Sequence, residues 1–143
     1  LLLFGGGFAL AGGFGATGVD TWIGGKLTGI AGWPLWCVVL SICLAITFLT
    51  ELTSNTATTT MILPILGVSA VAANIHPLFF MVPATLAASF AFMLPVATPP
   101  NAIVFGSGWV TIPQMSRAGL VLNFVGAGIV TTAVLLLVES LFL

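Results

Sequence analysis

Thr50-Glu51-Leu52-Thr53-Ser54-Asn55-Thr56-Ala57-Thr58-Thr59-Thr60 is a polar island in an oily chain, and its flanks decide what it can be. Before it, Trp33 to Leu49 gives seventeen mostly apolar residues; after it, Met61 to Ala73 gives thirteen. As helices these arms measure about 25 and 20 Å, against a hydrocarbon core of about 30 Å. Neither crosses alone. Two short arms around a polar centre predict a re-entrant helical hairpin over residues 33–73, with both ends on one face and the tip at mid-membrane depth.

Ser54, Asn55 and Thr56 at that tip could be ordinary helix N-caps or part of a surface loop, since their side-chain oxygens accept from orphan amides. The depth of the tip weighs against this, because unsatisfied backbone inside hydrocarbon is costly unless it lines a wet cavity.

Working outward, Asn74, His76 and Pro77 punctuate the chain, and Leu78 to Val96 follows with nineteen residues of nearly unbroken apolar character. Ala97-Thr98-Pro99-Pro100-Asn101 then interrupts it, because two prolines break the hydrogen-bond ladder and bias the preceding residues away from helix. The piece beyond, Ala102 to Val110, is too short to span, so residues 78–110 are predicted to be one broken transmembrane helix rather than two helices and a loop. Ala118 to Val138, twenty-one residues without an interior charge, predicts a final transmembrane helix over 116–140. Residues 1–32 hold eleven of the seventeen glycines mixed with Phe, Trp22, Asp20 and Lys26, and predict an interfacial helix or connector. The chain has no initiator methionine and starts and stops in apolar runs, which suggests a piece of a longer protein.

Composition agrees with a membrane setting. Of 143 residues 59% are hydrophobic and 3% charged, with mean hydropathy +1.29, where a soluble domain carries roughly 25% charged residues. The fold class is therefore all-α integral membrane, in a multi-pass protein of a plasma or inner membrane. The charges are Lys26, Arg117, Asp20, Glu51 and Glu139, with His76 the single histidine. So few, so scattered, they exclude nucleic acid as a partner and leave no convergent set for an enzyme. Cys37 and Cys43 lie six apart, on different faces of a helix, which argues against a bond between them. Gly13 to Gly18 matches G-x-G-x-x-G, but no strand precedes it and Val38 stands where an acid would be needed.

Each interruption opens into a half-helix, and the two are expected to present N-terminal amides and small polar side chains to a common centre. Positive helix ends attract anion oxygens without an arginine, while freed carbonyls and hydroxyls can ligate a hard cation such as sodium. Glu51, the acid nearest either interruption, is read as an acceptor for nearby backbone amides in preference to a cation ligand or proton relay.

SNTATTT after Thr-Glu-Leu-Thr, followed some forty residues later by LPVATPPNAIVFGSG, resembles the C-terminal half of the divalent anion/sodium symporter family. The opening LLLFGGGFALAGGFGATG resembles that family's segment before its second hairpin. The resemblance implies half of an inverted-repeat transporter, with residues 33–143 forming the second half of its transport domain. It implies a sodium-coupled symporter for small di- or tricarboxylates, dimeric, working by elevator-type alternating access among membrane lipids. It further implies substrate contacts from Asn55, Thr56, Thr98 and Pro99, and a sodium site drawing on Thr50, Ser54, Asn55, Ala97 and Asn101. A sulfate-transporting member of the family, an uncoupled anion channel and a structural membrane subunit are the alternatives.

Overall fold

A computed structural model describes residues 33–142 continuously, together with Ala9, Gly13, 16–18 and Trp22 before them. The expectation of an interfacial segment over 1–32 lies outside the described residues. The described chain is all helical: α1 Leu35–Thr50, α2 Asn55–Ala72, α3 Leu78–Ala87, α4 Pro99–Gly106 and α5 Ile112–Phe142. α2 and residues 112–138 of α5 are long and apolar enough to cross a membrane; α1 and α3 are shorter apolar helices.

The α1–α2 hairpin turns through Glu51–Ser54, and its arms meet each other less than they meet α3. α3 lies against α1, α2 and α5, and α5 closes the bundle against α1. The core where they meet is built from Val39, Cys43 and Ile46 of α1, Phe79, Phe80, Ala84 and Ala87 of α3, and Ala127, Val130, Val134 and Val138 of α5. Small side chains on α3 let the backbones come close, as helix association in lipid requires. α2 ends in a Schellman turn: Asn74 takes the left-handed conformation (φ 57°), and the amides of Asn74 and Ile75 close onto Val71 and Ala70.

Three boundaries differ from the sequence expectation. α2 takes in the polar residues 55–60 and runs for eighteen residues, long and apolar enough to cross a membrane, where the thirteen residues from Met61 were expected to be too short. α5 begins at Ile112 rather than near Ser116, because Pro113 falls in the first helical turn, where a missing N–H costs nothing. The apolar run from Leu78 is helical only to Ala87, and residues 88–98 are unwound. The helix first tightens into i→i+3 bonds, Ser89 N to Leu86 O and Phe90 N to Ala87 O, both 3.0 Å, and then stops. The cause is Glu51, which takes the next amides out of the ladder.

Candidate functional site

Glu51 is 4% exposed at the hairpin tip. Its Oε1 accepts from the amides of Phe92 (2.8 Å) and Met93 (2.9 Å), and its Oε2 from Leu94 (3.1 Å). Asn123 of α5 donates a further side-chain bond to Oε1 at 2.8 Å. One carboxylate thus takes three consecutive main-chain donors that a helix would otherwise have used, and Pro95 prevents the ladder from resuming. Charge-assisted bonds of this kind are about twice as strong as neutral ones. The reading of Glu51 as an acceptor for backbone amides is what the structure shows.

Several carbonyls at the end of α3 and along the unwound segment are met by side chains. Thr47 Oγ1 donates to Ala87 O (3.3 Å) and Thr50 Oγ1 to Ala88 O (3.0 Å), so α1 covers the end of α3. Asn101 Nδ2 donates to Ala91 O (2.7 Å) and Leu94 O (3.0 Å). Non-helical backbone inside a helical bundle is tolerated where protein groups satisfy it. Gly119 of α5 allows the segment to pass: a Cβ there would stand 2.4 Å from Phe92 O and 2.5 Å from its carbonyl carbon.

Held in this way, the hairpin tip and the start of α4 enclose a cavity of about 500 Å³. Ser54, Asn55 and Thr56 line one side and Ala97, Thr98 and Pro99 the other, with Glu51, Leu52, Thr53 and Val96 between. Six of the residues singled out in the sequence therefore share one space. Thr50 lies beneath it, fully buried, and Asn101 beside it, half-buried in the first turn of α4.

The two helix starts at this cavity are chemically unlike. At α2, Ser54 is the N-cap but makes no capping side-chain bond, and the first helical bond is Thr58 N to Ser54 O at 2.8 Å. The amides of Asn55, Thr56 and Ala57 therefore have no acceptor among the described residues. At α4, Pro99 and Pro100 carry no N–H at all. The next amides are already engaged, Asn101 N with Thr98 Oγ1 (3.4 Å) and Ala102 N with Thr98 O (3.2 Å). The expectation that both half-helices offer N-terminal amides is thus corrected: α2 offers three and α4 none.

What remains, at the hairpin tip and at the break before α4 together, is oxygen. No hydrogen bond to the carbonyls of Thr50 and Ala97 or to Asn101 Oδ1 occurs among the described residues, and the Ser54 hydroxyl is equally uncommitted. Asn55 differs from these. Its side-chain amide meets the buried Thr50 hydroxyl, whose single proton serves either this contact or Ala88 O. His76 stands apart, exposed beyond the far end of α2, where its Nδ1 accepts from Leu78 N at 3.4 Å. Asn123, which the sequence reading passed over inside an apolar span, is the polar residue it missed; a lone amide among aliphatic residues of a span was the available signal.

A family model described as the sodium:sulfate symporter transmembrane region matches residues 1–143. The sodium-dependent dicarboxylate transporter SdcS of Staphylococcus saprophyticus is 51% identical over 138 residues, which are 96% of this chain and 27% of that protein. Solute carrier family 13 member 2 of Rattus norvegicus is 51% identical over 134 residues, 94% of this chain and 23% of its own length. Solute carrier family 13 member 1 of Homo sapiens is 45% identical over 141 residues, 99% of this chain and 24% of its own length. The chain thus spans about a quarter of the length of these relatives. A match over every residue, on a sequence with helices fit to cross a bilayer, makes this an integral membrane chain that belongs to the sodium:sulfate symporter family of transporters.

Proposed function

We propose that the full-length protein is a sodium-coupled symporter for small di- or tricarboxylates, and that this chain supplies one half of its substrate and cation sites. The observation that carries the reading is the pairing, across one cavity, of three open amides at α2 with a start of α4 that offers no free amide. An anion carboxylate suits the first, through the backbone amides of Asn55 and Thr56, the Asn55 amide and the Thr56 hydroxyl. On the other side the Thr98 hydroxyl is the available donor, with the Pro99 ring as an apolar wall. Sodium, a hard cation that takes oxygen ligands, suits the oxygens shared by the hairpin tip and the break, Ser54 Oγ, Asn101 Oδ1 and the carbonyls of Ala97 and Thr50. Asn55, set against the Thr50 hydroxyl between the two groups, is assigned to both the anion and the cation. Without lysine or arginine in the cavity lining, a co-bound cation provides the compensating charge, which couples the two binding events.

The hairpin over 33–73 is read as re-entrant, the breaks as the centre of an inverted repeat, and the moving unit as an elevator-type transport domain within a homodimer. The names of two relatives, a sodium-dependent dicarboxylate transporter and a solute carrier, support sodium-coupled carriage of a small anion.

Full-length protein in proteoliposomes with an inward sodium gradient tests it, with labelled succinate as the probe. Succinate is expected to accumulate above its external concentration and to lose that excess when a sodium ionophore collapses the gradient. Equilibration without accumulation would mean an uncoupled anion channel. Accumulation of sulfate but not succinate would identify a sulfate carrier on the same architecture.

A further inference from the structure

Asn123 is fully buried in the middle of α5, seventy-two residues from the Glu51 carboxylate to which its Nδ2 donates at 2.8 Å. Its Oδ1 is buried as well and has no partner among the described residues. The amide cannot turn round to relieve this. Glu51 Oε1 accepts there, with Phe92 N and Met93 N on the same atom, so the group of Asn123 that meets it must be a donor and the amide oxygen is turned away from it. An aliphatic side chain at this place would leave no orphaned acceptor in the span. The polar group is retained at a cost to the fold, and what it acts on is the carboxylate that unwinds residues 92–94.

Gly119, one turn earlier on the same face of α5, supports the same segment by direct contact, since its missing Cβ is what admits the Phe92 carbonyl. Through these two residues α5 fixes the segment that leads past Pro95 to Ala97 and Asn101. The amides at the start of α2 depend on neither residue, because α2 itself sets their direction.

We infer that Asn123 is a positioning residue for the cation half of the site, acting through Glu51 on the break that presents Ala97 and Asn101; this rests on the symporter reading given above. Its removal shifts the sodium requirement while leaving the carboxylate cradle in place.

The test uses full-length protein carrying Asn123→Leu or Asn123→Ser, with Val130→Ala, buried on the same helix, as a packing control. Uptake of succinate, normalised to the amount of protein in the membrane, is measured against sodium at saturating succinate and against succinate at saturating sodium. Both Asn123 variants are expected to raise the sodium concentration for half-activation by about three- to tenfold, the range that coupling through one hydrogen-bond network allows. The succinate constant at saturating sodium stays within about twofold, and Val130→Ala leaves both curves where they were. Sodium curves for the Asn123 variants that overlay wild type, or a shift confined to the succinate constant, would overturn the inference. So would failure of both Asn123 variants to assemble where Val130→Ala assembles, which would make Asn123 a folding residue only. Wild-type uptake that ignores sodium would instead contradict the symporter reading itself.

Discussion

The starts of α2 and α4 look alike in outline, each a half-helix opening from unwound backbone into the same cavity, yet they carry opposite chemistry. At α2 a serine cap that leaves the amides open makes a donor cluster. At α4 two prolines and a threonine cap remove or engage every amide of the first turn. The dipole sign is the same at both ends, so the dipole alone cannot assign anion and cation. Local donor inventory decides it, and in this chain that inventory is set by Pro99, Pro100 and the uncommitted Ser54.

The largest effect on this contrast is expected from Glu51→Ala, which removes the carboxylate that ties the hairpin tip to residues 92–94. It strands the amides of Phe92, Met93 and Leu94 and the Asn123 side chain, and each buried donor left unmet costs about 1–3 kcal/mol. Full-length Glu51→Ala is therefore expected to yield little monodisperse protein in detergent. Recovery and thermal stability equal to wild type would show that the break forms without the carboxylate.

Next comes Gly119→Ala. The added methyl meets main-chain atoms that cannot rotate away, so the unwound segment must shift, at about 1–3 kcal/mol or more. A lowered melting temperature is expected, whereas Gly128→Ala, where a Cβ would meet nothing within 4 Å, should leave melting unchanged. Equal melting of the two variants would remove the close approach of α5 from the account.

Pro99→Ala sharpens the comparison most finely, by giving α4 one amide of the kind that α2 already has. Its energetic scale is that of a helix-end charge interaction, about 0.3–1 kcal/mol. A rise in the sodium half-activation of up to about fivefold is expected in full-length protein. A tighter sodium curve would mean that the start of α4 serves the anion instead.

Much of this site was legible in the sequence because polarity inside hydrocarbon is conspicuous. Ser54-Asn55-Thr56 and Ala97-Thr98-Pro99-Pro100-Asn101 announced themselves as interruptions, and the structure brings them to one cavity. The extent of the second interruption was not legible. Leu78 to Val96 reads as a continuous apolar helix, and nothing local in Ala88–Phe92 says otherwise. Its unwinding is imposed from forty residues upstream by Glu51, a tertiary override of local propensity. The missing donors at α4 could have been read directly, since proline has no N–H, but the helix-dipole picture drew attention away from individual amides. Asn123 was hidden by averaging, because one amide hardly lowers the hydropathy of a twenty-one-residue run.

The central claim is that the open amides at the start of α2 hold the anion while the cation sits on oxygens shared by the hairpin tip and the break before α4, and Thr56→Val tests it most directly. The substitution keeps the side chain's shape, removes one donor at α2 and touches nothing at α4. A hydrogen bond to a charged group is worth about 1.5–3 kcal/mol, or roughly ten- to a hundredfold in affinity. Uptake by full-length Thr56→Val, titrated against succinate at saturating sodium, should show the succinate constant raised by about that factor, with the sodium curve at saturating succinate superimposed on wild type. A succinate constant that does not move, or a sodium curve that moves as far as the succinate curve, would contradict the assignment.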